Sequence, residues 1–172
     1  MAVFFLIGMM GSGKSYWAQQ LAITKGGIYV DLDKYIEQAE QKTIATIFAE
    51  EGEMGFRKKE KFYLTHLPFN ESKTHQFIAV GGGAACFFDN MLWMNKNGIT
   101  IFINEQLPLM IERVSKQREH RPALKNKSVQ ELQVFFEEKL KERMPYYLQA
   151  KHIVVGSAIN KDHFLSIINK YE

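Results

Sequence analysis

The chain has 172 residues, 46% of them apolar and 24% charged, with a net charge of +3. That composition suits one soluble globular core and excludes a disordered, collagen-like or disulfide-built chain. So small a charge argues against a nucleic-acid surface but suits an anionic small substrate, and the single cysteine, Cys86, permits no internal disulfide and argues against a zinc cluster.

The chain opens on an apolar stretch, Met1 to Met10, which is too short to span a bilayer and runs into glycines, not a cleavage site. The expected setting is therefore the cytoplasm, with no membrane partner. Within that stretch Ala2–Ile7 reads as a buried parallel strand. Ser15–Lys25 follows as a helix with Trp17, Leu21 and Ala22 on one face, stopped by Gly26-Gly27. Ile28–Val30 is a short strand ending at Asp31. Asp33–Glu40 and Ile44–Glu51 read as helices, the second with Thr43 as N-cap and Gly52 as its stop. Phe56–His66 is helical, and Phe77–Val80 is a strand running into Gly81-Gly82-Gly83. Ile99–Ile103 is a strand after the Asn97-Gly98 turn, and Leu109–Gln117 a helix. Ser128 caps a long helix through Arg143 that Pro145 stops; His152–Val155 is the last strand and Asp162–Tyr171 the closing helix.

No period repeats and no linker divides the chain, so a single domain over 1–172 is expected. Strands alternating with helices imply a parallel sheet of five strands wrapped on both faces, with the ligand at the carboxyl ends of the strands. Those ends carry Gly8, Asp31 and Gly81.

Gly8-Met9-Met10-Gly11-Ser12-Gly13-Lys14-Ser15 satisfies G-x-x-x-x-G-K-[ST] in full, between a strand and a helix. Glycines let successive backbone N–H groups turn inward around phosphates, and the helix start adds partial positive charge. Lys14 can reach the terminal phosphates, and the Ser15 hydroxyl can ligate Mg²⁺. This marks a nucleoside triphosphate site without saying what receives the phosphoryl group.

Asp31 and Asp33 follow the second strand, where one carboxylate can support the Mg²⁺ shell and the other orient or deprotonate a hydroxyl; the alternative is a helix cap. Arg57 and Glu60 share a helical face, either as a solvated ion pair or as a carboxylate-binding arginine held by its glutamate. Gly81–Gly83 is either a tight turn or a close approach of backbone to ligand. Residues 113–127 hold Arg113, Lys116, Arg118, Arg121, Lys125 and Lys127, a basic lid that can close over the phosphates and exclude water, or a solvated face. For Arg143 the alternative to a functional role is charge compensation at a helix C-terminus. The five histidines lack metal-ligand spacing.

Taken together, these motifs resemble shikimate kinase over nearly the whole chain. The resemblance is carried by Gly8–Ser15, Asp31-Leu32-Asp33, Ile47-Phe48, Gly52-Glu53, Phe56-Arg57-Lys58-Lys59-Glu60, Gly81–Gly83, Arg121-Pro122 and Arg143-Met144-Pro145-Tyr146-Tyr147. It implies an α/β nucleoside-monophosphate-kinase-like P-loop fold in three layers. It also implies transfer of the ATP γ-phosphoryl group to the 3-hydroxyl of shikimate on the route to chorismate, with Mg²⁺ as cofactor. By matching position, Asp33 aligns the acceptor hydroxyls and acts as base. Lys14 and the lid residue Arg121 act on the phosphates, and Gly11, Ser12, Gly13, Ser15 and Tyr16 complete the nucleotide contacts, with Arg113 over the adenine. Ser15, and Asp31 through water, hold the metal. Arg57, Arg143 and the backbone of Gly81, Gly82 and Gly83 bind shikimate. Three positions depart from the family pattern: Ala123 for a leucine, Val80 for a small hydroxylated residue and Tyr16 for a small threonine.

Three readings compete. A gluconate-type kinase on the same scaffold would lack the Phe56–Glu60 motif and the glycine triplet. A nucleotide-dependent switch would have little use for arginines and carboxylates suited to a small acid. A nucleic-acid partner finds no basic–aromatic interleaving. The expectation is a monomer acting on ATP and shikimate.

Overall fold

The computed structural model describes residues 1–68, 74–116, 124, 127–156 and 158–172. Five strands form one parallel sheet in the order β2-β3-β1-β4-β5. They are β1 (Val3–Ile7), β2 (Ile28–Asp31), β3 (Gln76–Ala79), β4 (Ile99–Asn104) and β5 (His152–Val155). The helices are α1 (Lys14–Lys25), α2 (Leu32–Glu40), α3 (Ile44–Thr65), α4 (Asn90–Asn97), α5 (Leu107–Ser115), α6 (Val129–Tyr147) and α7 (Lys161–Ile168). Among the described residues no helix is long and apolar enough to cross a membrane.

The central strands read as unbroken apolar runs because both faces of the sheet are covered. Side chains alternate along β1: Phe5 and Ile7 enter one cluster with Ile36, Phe56, Met94 and Phe136, while Phe4 and Leu6 enter another with Leu21 and Phe164. All four β1 side chains are fully buried, and burying each is worth about 1.5–3 kcal/mol. Register then sets the site. Leu6 and Asp31 both pair with Ala79, so β1, β2 and β3 end level. The phosphate loop, the start of α2 and the glycine triplet thus leave the sheet side by side.

Several local expectations need correcting. Thr43 caps α3 by accepting the Thr46 N–H at 3.1 Å, but the helical assignment then runs on to Thr65, broken only at Gly52, where φ is 70° and ψ 179°. Gly52 thus ends the first helical run, as expected, and a second run follows it across a kink. Pro145 does not stop α6. It lies in the last turn, where a missing N–H costs a single helical bond, and the helix continues because Tyr147 is fully buried beyond it. Ser128 caps the other end in a capping box with Glu131. Helix α5 begins two residues earlier than the apolar pattern suggests, with Pro108 in its first turn, the position that suits a proline. Helix α4 carries no sequence signal: Asp89 precedes it without capping it, its side chain being taken by Lys61. The expected lid residues Arg118, Arg121, Pro122, Ala123 and Lys125 lie outside the described residues. Arg113 belongs to α5 and Lys116 to its C-terminal end, so neither is part of a loop between helices.

A candidate phosphoryl-transfer site

One cleft of about 550 Å³ at the carboxyl edge of the sheet is lined by the loop residues Gly11, Gly13, Lys14 and Ser15, by Asp31 and Asp33, and by Gly81 and Gly82. Tyr16 and Arg113 also line it. Nine sequence-designated residues thus share one cavity with Asp33; Arg57, Gly83 and Arg143 do not line it, the two arginines packing against Gly83 and Gly82.

The loop half is shaped by backbone conformation. Gly11 has φ 78°, and a side chain there would strike the Met110 carbonyl of α5 at 2.7 Å. Gly13, at φ 92°, is the N-cap of α1 and offers no side-chain acceptor, and no acidic residue occupies the first turn. The amides at this helix start are therefore left for an anion. Ser12 is fully buried, its N–H donating to Met9 O at 3.2 Å. Lys14 is nearly buried and arches back over the loop, donating to the carbonyls of Gly8 (2.9 Å) and Met9 (2.8 Å). Arg113 does not stand free on the adenine side. Its guanidinium donates to Gly11 O at 3.0 Å and pairs with buried Glu105 at 3.1 Å, which fastens α5 to the loop. Tyr16 is 59% exposed at the cleft rim, edge-on to Trp17.

Asp31 is the helix cap that one of its sequence readings expects, and it also faces Ser15 of the phosphate loop. Its Oδ1 accepts the Lys34 N–H at 3.3 Å as the N-cap of α2, and its Oδ2 accepts the Ser15 hydroxyl at 2.7 Å and the Tyr29 hydroxyl at 3.2 Å. Burial, with the Asp31 charge beside it, raises the Tyr29 pKa and keeps that phenol a donor. A serine hydroxyl and a carboxylate are hard oxygen donors of the kind Mg²⁺ takes when nucleotide phosphates complete its shell. Among the described residues no group of three or more His, Cys, Asp or Glu side chains could hold a metal ion.

The other half is built from buried charge. Arg57 is 6% exposed and Glu60 not at all, and they pair at 2.7 Å. Glu53 lies 3.4 Å from the same guanidinium, and the ring of Phe87 faces it at 4.4 Å. The surface ion-pair reading therefore gives way to an arginine clamped in the protein. Burial pushes the Glu60 carboxyl up to about 7, against the pull of Arg57 and with Asp33 adding to the rise.

The glycine triplet owes its composition to these neighbours. A side chain on Gly81 would meet Glu60 Oε1 at 2.5 Å and Asp33 Oδ1 at 3.0 Å; one on Gly83 would collide with the Arg57 guanidinium. At Gly82 the Arg143 guanidinium would lie 3.3 Å away, and the same Arg143 nitrogen sits 3.5 Å from Met9 Sδ. The triplet is thus a close approach between backbone and charged side chains. Val80, just before it, is buried in the core.

Sequence reasoning assigned no role to four supporting residues. Tyr147 donates its hydroxyl to Gly82 O, fixing the triplet to α6, and burial drives its pKa well up; it stands one helical turn after Arg143, visible once Pro145 is allowed inside the helix. Tyr29 stands two residues before Asp31 on the same strand face, a period-two signal. Glu105 and Phe87 announce themselves by nothing in the sequence.

Comparison with known proteins bears on this geometry. The sequence model of the family described as "Shikimate kinase" matches residues 10–171. The chain is 40% identical over 146 residues to the shikimate kinase of Parabacteroides distasonis, covering 85% of this chain and 83% of that one. It superposes on a crystal structure of shikimate kinase from Bacteroides thetaiotaomicron with a TM-score of 0.86 and 34% identity, covering 99% of this chain and 96% of that one. With shikimate kinase from Acinetobacter baumannii in complex with shikimate, the TM-score is 0.85 at 27% identity, covering 99% of this chain and 93% of that one. The fold expectation holds: a P-loop, nucleoside-monophosphate-kinase-like fold on a five-stranded parallel sheet.

Proposed function

The chain belongs to the shikimate kinase family, and from that premise we propose that it transfers the γ-phosphoryl group of ATP to the 3-hydroxyl of shikimate, in aromatic amino-acid biosynthesis. The observation that carries the acceptor assignment is the pair of guanidiniums, Arg57 and Arg143, packed against the glycine triplet, whose Gly81 and Gly82 line the same cleft as Asp33 and the phosphate loop. A small acid that also bears hydroxyls needs that set: arginines for the carboxylate, a carboxylate for a hydroxyl.

In this reading the backbone N–H groups of Gly11 and Gly13 cradle the phosphates, the Ser12 N–H turns to them from Met9 O, and Lys14 turns from its carbonyl partners to the terminal phosphate. Tyr16 and Arg113 serve the nucleotide side, as their places on the cleft support. Arg57 and Arg143 hold the shikimate carboxylate, and the Gly81–Gly83 backbone lies against the ring. Asp33 orients the 3-hydroxyl and takes its proton as the new oxygen–phosphorus bond forms and the bond to ADP breaks. Ser15, and Asp31 through water, would hold Mg²⁺, which when bound neutralises charge on the phosphates. Arg121 acts from a lid within 113–127 that excludes water as a competing acceptor. We assign all of this to one domain over 1–172, working as a cytoplasmic monomer without nucleic-acid or membrane partners; the net charge of +3 supports the exclusion of nucleic acid.

The test is ADP release from Mg-ATP with shikimate, quinate or gluconate. Strong stimulation by shikimate alone is expected. Stimulation by gluconate instead would keep the kinase and discard the acceptor assignment. ATP binding without stimulation by any acid would favour a nucleotide switch.

A further inference from the structure

Strand β2 ends in Tyr29-Val30-Asp31, and its two-residue period puts Tyr29 and Asp31 on one face of the sheet. The Tyr29 ring packs, partly buried, against the cluster beneath α1. Its hydroxyl reaches along the strand to Asp31 Oδ2, the oxygen that also accepts from Ser15. With the Lys34 amide on Oδ1, three donors from three elements, β2, α1 and α2, converge on one carboxylate.

The consequence lies in the single proton of Ser15. While that proton is committed to Asp31, the lone pairs of the hydroxyl oxygen are left for a cation. Were Asp31 to rotate, the Ser15 proton could turn to a phosphate oxygen, and the hydroxyl would act as a donor to the nucleotide and lose its place as a metal ligand. By itself Ser15 would hold Oδ2 through one mobile hydroxyl. The Tyr29 phenol, on a rigid ring pinned under α1, fixes the same oxygen from the sheet side.

We propose that Tyr29 is a positioning residue for the cation that accompanies the nucleotide: its hydroxyl locks the Asp31 carboxylate in the orientation that keeps Ser15 a metal ligand. This rests on the assignment of Ser15 and Asp31 to Mg²⁺ made above. Partners of metal ligands typically carry a tenfold or larger share of metal affinity when removed.

The experiment is calorimetric titration of the protein with ADP, in saturating MgCl₂ and in EDTA, for wild type, Tyr29→Phe and Asp31→Asn. Phenylalanine keeps the ring under α1 and removes only the hydroxyl. Tyr29→Phe is expected to bind ADP in EDTA as wild type does and to lose about tenfold of the affinity gained from Mg²⁺. In the phosphorylation assay it should raise the Mg²⁺ concentration for half-maximal rate while kcat at saturating Mg²⁺ stays near wild type. Equal weakening in EDTA and in MgCl₂ would make Tyr29 a packing residue only and overturn the proposal. A full Mg²⁺ gain in Tyr29→Phe with a reduced gain in Asp31→Asn would overturn it while leaving the metal assignment standing. A full gain in both variants would overturn the metal assignment and the proposal with it.

Discussion

The phosphate loop and the glycine triplet both bring bare backbone to the same cleft, yet they use glycine for opposite reasons. In the loop, Gly8, Gly11 and Gly13 have φ values of 144°, 78° and 92°, which side chains of L-residues rarely allow. Gly81–Gly83 has no residue in that region, Gly83 sitting at φ −95°, and a side chain is excluded there by Arg57, Glu60, Asp33 and Arg143 instead. The loop is a conformation written in eight consecutive residues. The triplet is a vacant volume whose walls come from α2, α3 and α6. The first can be recognised locally; the second exists only when distant segments meet.

That contrast can be broken or sharpened by substitution. The largest effects should fall on both halves alike, where chemistry needs each. Asp33→Asn should lower kcat by about 10²–10⁴-fold, the scale of a lost general base. Lys14→Ala should lower it by about 10²–10³-fold, the scale of a lost charge-stabilising donor. Steady-state kinetics with circular dichroism as a fold control reads both, and a near-wild-type kcat for Asp33→Asn would remove the acceptor side from the chemistry.

The halves should then part company. Arg57→Ala should raise KM for shikimate far more than KM for ATP. It should also cost about 3 kcal/mol of stability, the low end for a broken buried ion pair, because Glu60 can take up a proton when left alone. Equal rises in both KM values would assign Arg57 to structure.

Glu60→Gln tests the buried charge directly. The Glu60 carboxyl titrates at about 7 in the fold against an ordinary value of 4.5. Below about pH 4.5 both folded and unfolded chains hold the proton; between there and about 7 the folded chain binds more, so stability falls as pH rises. The contribution is complete below the unfolded pKa and lost through about pH 7. Urea unfolding across that window should show wild type losing on the order of a few kcal/mol that Glu60→Gln keeps.

Gly83→Ala should displace the Arg57 guanidinium and raise KM for shikimate about tenfold while sparing KM for ATP, since small misplacements of a positioned group are costly. The smallest effect belongs to Tyr147→Phe. Losing its bond to Gly82 O should cost about 1–2 kcal/mol in thermal unfolding, with a smaller change in kinetics.

The same contrast explains what could be read before the structure. Gly8–Ser15 and the carboxyl ends of the strands were legible because hydrophobic runs and a contiguous motif specify them. Asp31 was legible as the cap of α2, since a carboxylate between a strand and a helix suits that place, whereas its bond to Ser15 needs α1 and β2 side by side. Arg57 was ambiguous, because an i,i+3 pair with Glu60 looks the same in solvent and in a core; burial alone decides, and burial is a property of the assembled fold. Pro145 departs from the local rule because it lies in the last helical turn, with the buried Tyr147 beyond it. Helix α4 was invisible because its cap is missing. Glu105 holds Arg113 across an interval no local rule spans.

The two tryptophans divide between the two faces of the sheet. Trp17 lines the cleft, its Cδ1 3.3 Å from where a side chain on Gly13 would begin, and packs on Phe164 at 4.9 Å. Trp93 lies edge-on to Phe5 at 6.0 Å within the opposite cluster. The molecule therefore carries two intrinsic optical reporters with separate subjects. Emission from Trp17 is expected to follow the occupancy of the loop, and emission from Trp93 the integrity of the core, which a nucleotide titration and a urea titration would check. Replacing either one by phenylalanine leaves a single-colour instrument for the other question, with no label added.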